Sequence, residues 1–337
     1  RTMQPVAEHK VTSREAFESA IAADRQPVVM RSLVQDWPSV DHGRESASSF
    51  CRYVEELDSG TPVYTIAAPP QAGGRFFYSD DLKSLNFNRG QVPLSQVLAQ
   101  ILEQPDDGSA HSIAVQSLPI RQVLPKFETQ NTMPMLDESV APTMWIGTRG
   151  KVAPHYDIHR NIACVVSGKR HFTLFPPEQI ANLYPGPILG APGGVPISLV
   201  NIWAPEEGRF PDYSKAMESA YEATLEPGDA IYIPPLWWHA VESLEPVNAL
   251  VNYWWGGTGD YDLSPNDSLL HAIMAIGKLD NEQKQAWRAF FDYYVFGEGP
   301  DPAGHLPDGL EDIVTSLDEN QATTVRRFIA EKLAGNR

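Results

Sequence analysis

The chain has 337 residues, 42% of them apolar and 20% charged, enough for a large buried core and ordinary for a folded globular protein. Its formal net charge of -17 is spread along the chain with no basic patch, which argues against binding a phosphate backbone through Lys and Arg. No apolar run reaches membrane-spanning length, the opening RTMQPVAEHK lacks a signal-peptide core, and Cys51 and Cys164 make no disulfide framework, so a cytoplasmic location is expected.

In chain order, residues 1–12 read as a loose arm, and Ser13 then offers an N-cap for a short helix with Phe17, Ile21 and Ala22 on one side. Val28 to Met30 suits a strand, closed by Trp37–Pro38. Ser46 to Leu57 predicts a second helix, with Phe50, Tyr53, Val54 and Leu57 at helical spacing. TPVYTIA reads as a strand and PPQAGGRFFYSDD as a turn-rich excursion. Pro93 to Leu102 predicts a helix with proline in its first turn, and Ser112 to Ser117 a short strand.

From about Val140 the pattern changes. TMWIGT, HYDIHRNIACVVSG, KRHFTLFPP, DAIYIPP and NALVNYWW are each consistent with strands, separated by Gly/Pro turns. Many short strands of this kind favour a sandwich or small barrel over a doubly wound sheet. Residues 178–225 include a loop-rich insertion, and loops of that length in a compact domain tend to be functional. After Trp255 comes a linker, then helices in LLHAIMAIGKL, in NEQKQAWRAFFDYYVF with Asp280 or Asn281 as cap, and in ENQATTVRRFIAEKLAG, which ends at a glycine.

His155 and Asp157 are two apart, so an extended strand would place both side chains on one face, and His239 arrives from a separate strand. Two imidazoles and a carboxylate, with no cysteine, suit non-haem Fe(II) and leave positions open for a co-substrate and oxygen. A hydrogen-bonded His and Asp in a turn is the other reading of this pair. The apolar continuation IACVV and the proline-rich turn before His239 favour the metal site. His159 shares the strand parity of the ligands and reads either as lining the mouth of the site or as a half-exposed polar residue.

WIG, HYD followed by Asn161, the turn Gly168, FTLFPPEQ, LYP, RFPDY, PGDAIYIP, WWHAVESL and VNYWW together resemble the Jumonji C branch of the cupin superfamily. These are Fe(II)- and 2-oxoglutarate-dependent oxygenases, and the resemblance is to the asparaginyl-hydroxylase-like group related to the factor-inhibiting-HIF enzyme and its bacterial relatives. It covers about 25–255 and is most specific in 145–255. It implies a mainly β fold, a double-stranded β-helix (jelly roll) core with N-terminal α/β elements and a C-terminal helical subdomain. The boundaries expected are 1–110 for helices and strands packing on the core, 111–258 for the catalytic core and 265–335 for the helices.

The resemblance also implies roles. His155, Asp157 and His239 would be the catalytic metal ligands, with Fe(II) as cofactor and 2-oxoglutarate as co-substrate. Arg170, fifteen positions after His155, matches the lysine that pairs with the far carboxylate of 2-oxoglutarate. An arginine can do this through a bidentate fork. Asn161 and Asn252 match asparagines that face the ligands or the co-substrate. The chain departs from the pattern at Val152, where the family often has threonine, and at Ala114, where a tyrosine falls. Either Arg170 supplies enough by itself, or residues such as Ser117 or His171 compensate, or co-substrate binding is weak or altered.

The expected reaction is hydroxylation of a C–H bond of a peptide or protein side chain, or of a small molecule. The alternative is a non-catalytic cupin-fold protein that binds a metal or ligand and keeps a degenerate 2-oxoglutarate site. Loop 186–214 with segment 66–90 is the expected lid, and Tyr156, His159, Phe76, Phe77, Trp203 and Arg209 the expected lining. No nucleic-acid or membrane partner is expected. A homodimer is expected through 265–335, around Leu270, Ile273, Ile276, Trp287, Phe290, Phe291 and Tyr294.

Overall fold

The strands from Pro142 onward cross between two sheets. Pro142–Gly147 lies in one, Gly150–His155 in the other, and Arg160–Ser167 back in the first. Arg170–Phe175 and Tyr221–Leu225 pair within one sheet and carry the loop-rich insertion between them. Ala230–Ile233, Trp238–Ser243 and Asn248–Trp255 then alternate again. The result is a mainly β jelly roll. It is a computed structural model that describes residues 3–23, 25–189, 191, 194–206, 208–259, 261, 263–297, 299–309, 312–314 and 317–335.

The six-stranded sheet runs in the order Gln4–Pro5, Tyr221–Leu225, Arg170–Phe175, Trp238–Ser243, Gly150–His155, Arg75–Phe76. The nine-stranded sheet centres on Ala230–Ile233, Arg160–Ser167, Asn248–Trp255 and Pro142–Gly147, and N-terminal strands extend it at both edges. Between the sheets pack Phe172, Leu174 and Val241 from one side and Ala163, Val165, Ile231 and Leu250 from the other. A second core joins the outer face of the nine-stranded sheet to the N-terminal helices through Phe17, Phe50, Leu98 and Cys164. A third joins the outer face of the six-stranded sheet to the insertion through Phe175, Trp238, Val200 and Phe210. Burial on both faces explains why Arg160–Ser167 reads as an unbroken apolar run and not as an alternation.

The structure corrects several local expectations. Ala20, not Ala22, joins Phe17 on the buried face of helix Arg14–Ala23, where Ser13 Oγ accepts the Ala16 N–H at 3.1 Å. Pro38 does not end a strand but opens helix Pro38–Glu45, since a missing N–H costs nothing in a first turn. Asn88–Val92 is an additional strand, exposed along the sheet edge and without apolar alternation. HYDIHRN is not one strand: Gly150–His155 ends at the histidine, and a bend separates it from Arg160–Ser167.

Helix Pro38–Glu45 lies close against strand Arg160–Ser167, and a Cβ on Gly43 would overlap the Val166 carbonyl oxygen. Gly43→Ala is therefore expected to destabilise the protein by about 1–3 kcal/mol, read as a lower urea midpoint. An unchanged midpoint would contradict this close approach.

Arg1–Gly257 and Thr258–Arg337 form two compact units. The second contains helices Pro265–Ala275, Asn281–Phe291 and Glu319–Leu333. Asp280 caps the second by accepting from Gln283 N, and Asp318 with Gln321 forms a capping box on the third. No helix of the described residues is long and apolar enough to cross a membrane.

Candidate metal centre

His155 is the last residue of its strand and stands directly opposite His239 on the neighbouring strand Trp238–Ser243. Beyond this pair the register slips: Val241 faces Val152, so Ala153 and Pro154 together stand opposite Ala240. This bulge turns both Val152 and His155 to the side of Val241, which is the interior between the sheets. A bulge also tolerates Pro154, which has no N–H to give to a ladder. Asp157 lies in the bend after the strand. It therefore joins the histidines because the strand ends, not through strand alternation.

The imidazole centroids are 4.2 Å apart at 54°. His155 Nδ1 lies 2.9 Å from the Ala153 carbonyl and His239 Nδ1 3.0 Å from that of Trp237. A carbonyl only accepts, so each Nδ1 donates to it and Nε2 is the ring nitrogen left to face a metal. His239 Nε2 is 3.6 Å from Asp157 Oδ2, and the ligand atoms of all three residues lie within 4.8 Å of one another. Among the described residues this is the one group of three or more such side chains placed to hold a metal ion.

The carboxylate is itself held. Asp157 Oδ2 accepts from Asn161 Nδ2 and from Trp254 Nε1, both at 3.2 Å. Burial works against its ionisation, but the two imidazoles and these N–H donors outweigh it, so Asp157 lies below the usual carboxylate value. Burial pushes His239 down to about 4, and neighbouring His155 adds to this while Asp157 opposes it. His239 is thus neutral at neutral pH, as a metal ligand must be.

This sets a pH dependence for the metal-free protein. His239 titrates near 6.5 when unfolded and about 4 when folded, so between these values only the unfolded chain binds the proton. The stability contributed is complete above the unfolded value and is lost as pH falls toward 4, at about 1.4 kcal/mol per unit. Asp157 adds its own loss only below its unfolded value of about 3.9. In urea unfolding at a series of pH values, His239→Gln is expected to flatten the acid limb between about pH 6.5 and 4. A limb as steep as the parent's would contradict a buried neutral His239.

Arg170 begins strand Arg170–Phe175 with the same parity as Phe172 and Leu174, so it too faces the interior. It is only 7% exposed, its Nε has no hydrogen-bond partner, and no carboxylate among the described residues pairs with the guanidinium. Burial lowers its pKa to about 10, which still leaves it charged at neutral pH. Leu174 pairs with His239 and Arg170 with Ser243, so Arg170 lies four residues along the sheet from His239. At about 3.3 Å per residue this is roughly 13 Å between backbone positions on one wall.

Asn161 and Asn252 are both buried and face the same interior. Val152, 41% exposed, lines this space without a donor, and Ala114 packs with Ile66 and Phe87. Ser117 and His171 do not compensate: Ser117 is exposed at a backbone φ of 48°, and His171 points outward to Thr224 Oγ1 at 2.9 Å.

Three expected lining residues are not brought to the centre. Tyr156 alternates away from His155 and packs on Trp238 at 4.9 Å, in the outer cluster with Phe210 and Tyr213. Trp203 Nε1 donates to Glu242 Oε2 at 3.1 Å on the outer face of the six-stranded sheet. Arg209 is exposed, 3.8 Å from Glu206 and over the Phe210 ring. His159 sits in the bend beside Gly257, outside the ligand group. Phe76 pairs in register with Val152, whereas Phe77 lies under the Arg75 guanidinium. Within the expected lid, residues 190, 192, 193 and 207 lie outside the described residues. A cleft of about 380 Å³ lined by Asp106, His111, Arg149, Lys151 and Glu242 opens at the other end of strand Gly150–His155 and holds none of the three ligands.

The motif reading missed Trp254 as a partner of Asp157. It stands two after Asn252 on the same strand, so strand alternation could have found it.

A model of the cupin-like domain matches residues 14–261. Human HSPB1-associated protein 1 is 40% identical over 114 residues, which are 33% of this chain and 23% of that protein. The Arabidopsis thaliana lysine-specific demethylase JMJ31 is 37% identical over 112 residues, 33% of this chain and 20% of that protein. Mouse tRNA wybutosine-synthesizing protein 5 is 27% identical over 269 residues, 74% of this chain and 78% of that protein. The match to the first two thus spans less than a quarter of their length. The jelly roll, the His-Asp-His cluster across its paired strands and the match over most of the chain agree, and the chain belongs to the cupin-like domain family of the cupin/JmjC superfamily.

Proposed function

We propose that this protein is an Fe(II)- and 2-oxoglutarate-dependent oxygenase that hydroxylates a C–H bond of a peptide or protein side chain, or of a small molecule. The observation that carries this reading is Arg170, a buried cation with an unpartnered Nε and no paired carboxylate among the described residues, on the wall that also bears the His-Asp-His cluster. An unpaired buried charge is costly unless an anion completes it. Two imidazoles and one carboxylate fit Fe(II) and leave positions open.

His155 and His239 would hold the metal through Nε2, with Asp157 as the anionic ligand. Arg170 would neutralise the far carboxylate of the co-substrate through its fork of N–H donors. When bound, Fe(II) and 2-oxoglutarate supply the oxidising chemistry, with decarboxylation to succinate and CO2. Phe172, Leu174, Val241 and Leu250 keep water from the space between. Val152 and Ala114 offer no hydroxyl, so co-substrate binding rests on Arg170.

A protein side chain is favoured as substrate by relatives named as lysine-specific demethylases. The relative named for tRNA wybutosine synthesis points to RNA, against which stands the charge of -17. The buried free thiols Cys51 and Cys164 suit a reducing, cytoplasmic setting. Exposed Ile273, Trp287, Phe290 and Tyr294 support a homodimer through the C-terminal helices. Deleting 265–335 is expected to give monomeric or insoluble protein by light scattering, and an unchanged dimer would end that part of the reading.

Anaerobic titration of the Fe(II)-loaded protein with 2-oxoglutarate tests the whole. A visible metal-to-ligand charge-transfer band, followed by succinate release on admitting air, is expected. Iron-containing protein that gives neither would favour a binding protein with a degenerate co-substrate site, the reading that Val152 and Ala114 suggest.

A further inference from the structure

Three neighbouring strands of the nine-stranded sheet place a chain of polar side chains in the interior. Trp145 stands on Pro142–Gly147, Asn252 and Trp254 on Asn248–Trp255, and Asn161 on Arg160–Ser167. In register, Asn161 lies opposite Trp254 and Asn252 opposite Thr143, so each pair in the chain is a direct or diagonal neighbour. Trp145 Nε1 donates to Asn252 Oδ1 at 3.0 Å, Asn252 Nδ2 to Asn161 Oδ1 at 3.4 Å, and Asn161 Nδ2 to Asp157 Oδ2 at 3.2 Å. Asn161 and Asn252 are 5% and 2% exposed, so water has little access to either amide.

We propose that Trp145 is a positioning residue for Asp157, acting through Asn252 and Asn161, and that these asparagines serve the metal ligand and not the co-substrate. The inference rests on the metal-centre reading above. Its physical basis is the chemistry of the two ends. An indole N–H can only donate and an ionised carboxylate can only accept, whereas an amide can be turned either way. With a donor fixed at one end and an acceptor at the other, one orientation of both amides satisfies every bond: carbonyl toward Trp145, NH2 toward Asp157. Each amide then has an NH2 hydrogen committed to the next group along the chain. Without the indole N–H, Asn252 no longer has a preferred orientation. If Asn252 turns its carbonyl to Asn161, then Asn161 must turn its NH2 away from Asp157 and its own carbonyl toward it. Trp254 reaches the same carboxylate oxygen directly and packs edge-on against Trp145 at 6.3 Å, but it is not a link in the chain.

The test uses full-length protein and Co(II) as probe, without 2-oxoglutarate, following the ligand-field absorption. Trp145→Phe keeps the ring and removes the N–H, and is expected to weaken Co(II) binding about 10- to 100-fold, the usual effect of losing a hydrogen-bond partner of a metal ligand. Asn252→Asp, which still accepts from Trp145 but cannot donate to Asn161, is expected to do the same should the tryptophan variant fold poorly. In a double-mutant cycle Trp145→Phe and Asn161→Ala should add to less than their sum. A parent that binds Co(II) with variants that bind it equally well would overturn the relay alone. So would an Asn161→Ala protein that keeps its Co(II) affinity but loses affinity for 2-oxoglutarate. A parent that takes up no Co(II) would overturn the metal centre and the relay together.

Discussion

Asp157→Ala is expected to abolish divalent-metal binding in a Co(II) titration that saturates the parent. The fall should exceed the roughly 100-fold ceiling typical for losing a mere partner of a ligand. Asp157 is the only anion in the cluster, and the two imidazoles that remain carry no negative charge, so the positive charge of a metal would be left without compensation in a buried site. The alanine also strands the donors Trp254 Nε1 and Asn161 Nδ2, at about 1–3 kcal/mol for each buried group left unpaired. Asp157→Asn separates the two effects. Its carbonyl can accept from both donors, so thermal unfolding should stay near the parent's while metal binding is still lost. Metal affinity within about tenfold of the parent in both variants would place the centre elsewhere.

How the sequence encodes this site differs from residue to residue. The strands were legible because Gly and Pro punctuate short apolar segments, and the His-Asp-His set because of its strand context and the resemblance of the motifs around it to a known family. The route by which they meet was not. A motif places His155 and Asp157 two apart, but their convergence depends on a strand that stops and on a bulge at Ala153–Pro154. A slip of pairing by one residue has no local signature, although it decides which face every later side chain takes. The same alternation misled in the other direction. Tyr156 is next to His155 in sequence and for that reason points away from it.

The remaining misses have separate causes. Trp254 shares the inward face of Asn252, two residues earlier on the same strand, and the position of Asp157 in space shows what its N–H is for. Helix Pro38–Glu45 carries proline and glycine, which read as a turn. Its glycine is instead required where the helix backbone meets Val166. Strand Asn88–Val92 has no apolar face, as an exposed edge requires none. Trp203 and Arg209 were placed by their membership of a long insertion, yet this insertion spends its apolar residues covering the outer face of the six-stranded sheet.

Arg170→Met is expected to change stability and binding in opposite directions. In the parent without ligand, the guanidinium is buried with an unpartnered Nε among Phe172, Leu174 and Val241, so the folded state carries a desolvation cost that no carboxylate among the described residues offsets. Methionine fills similar space without charge, and the ligand-free variant should be more stable by about 1–4 kcal/mol, as when buried charges give way to apolar residues. Binding should respond the other way. Truncating one member of a buried, hydrogen-bonded charge pair costs about 2–5 kcal/mol, so 2-oxoglutarate affinity should fall at least about 30-fold. At a concentration near 100 times its Kd the co-substrate should stabilise the parent by about 2.7 kcal/mol. The variant should show almost none of this at the same concentration, while its Co(II) titration stays like the parent's. Arg170→Lys keeps the charge but not the planar fork, and should fall between the two in 2-oxoglutarate affinity. A methionine variant that is less stable than the parent and still stabilised by 2-oxoglutarate would remove Arg170 from the co-substrate site. The expected pair of shifts would mean that the fold retains a destabilising cation at this position because the carboxylate it binds is needed for the reaction.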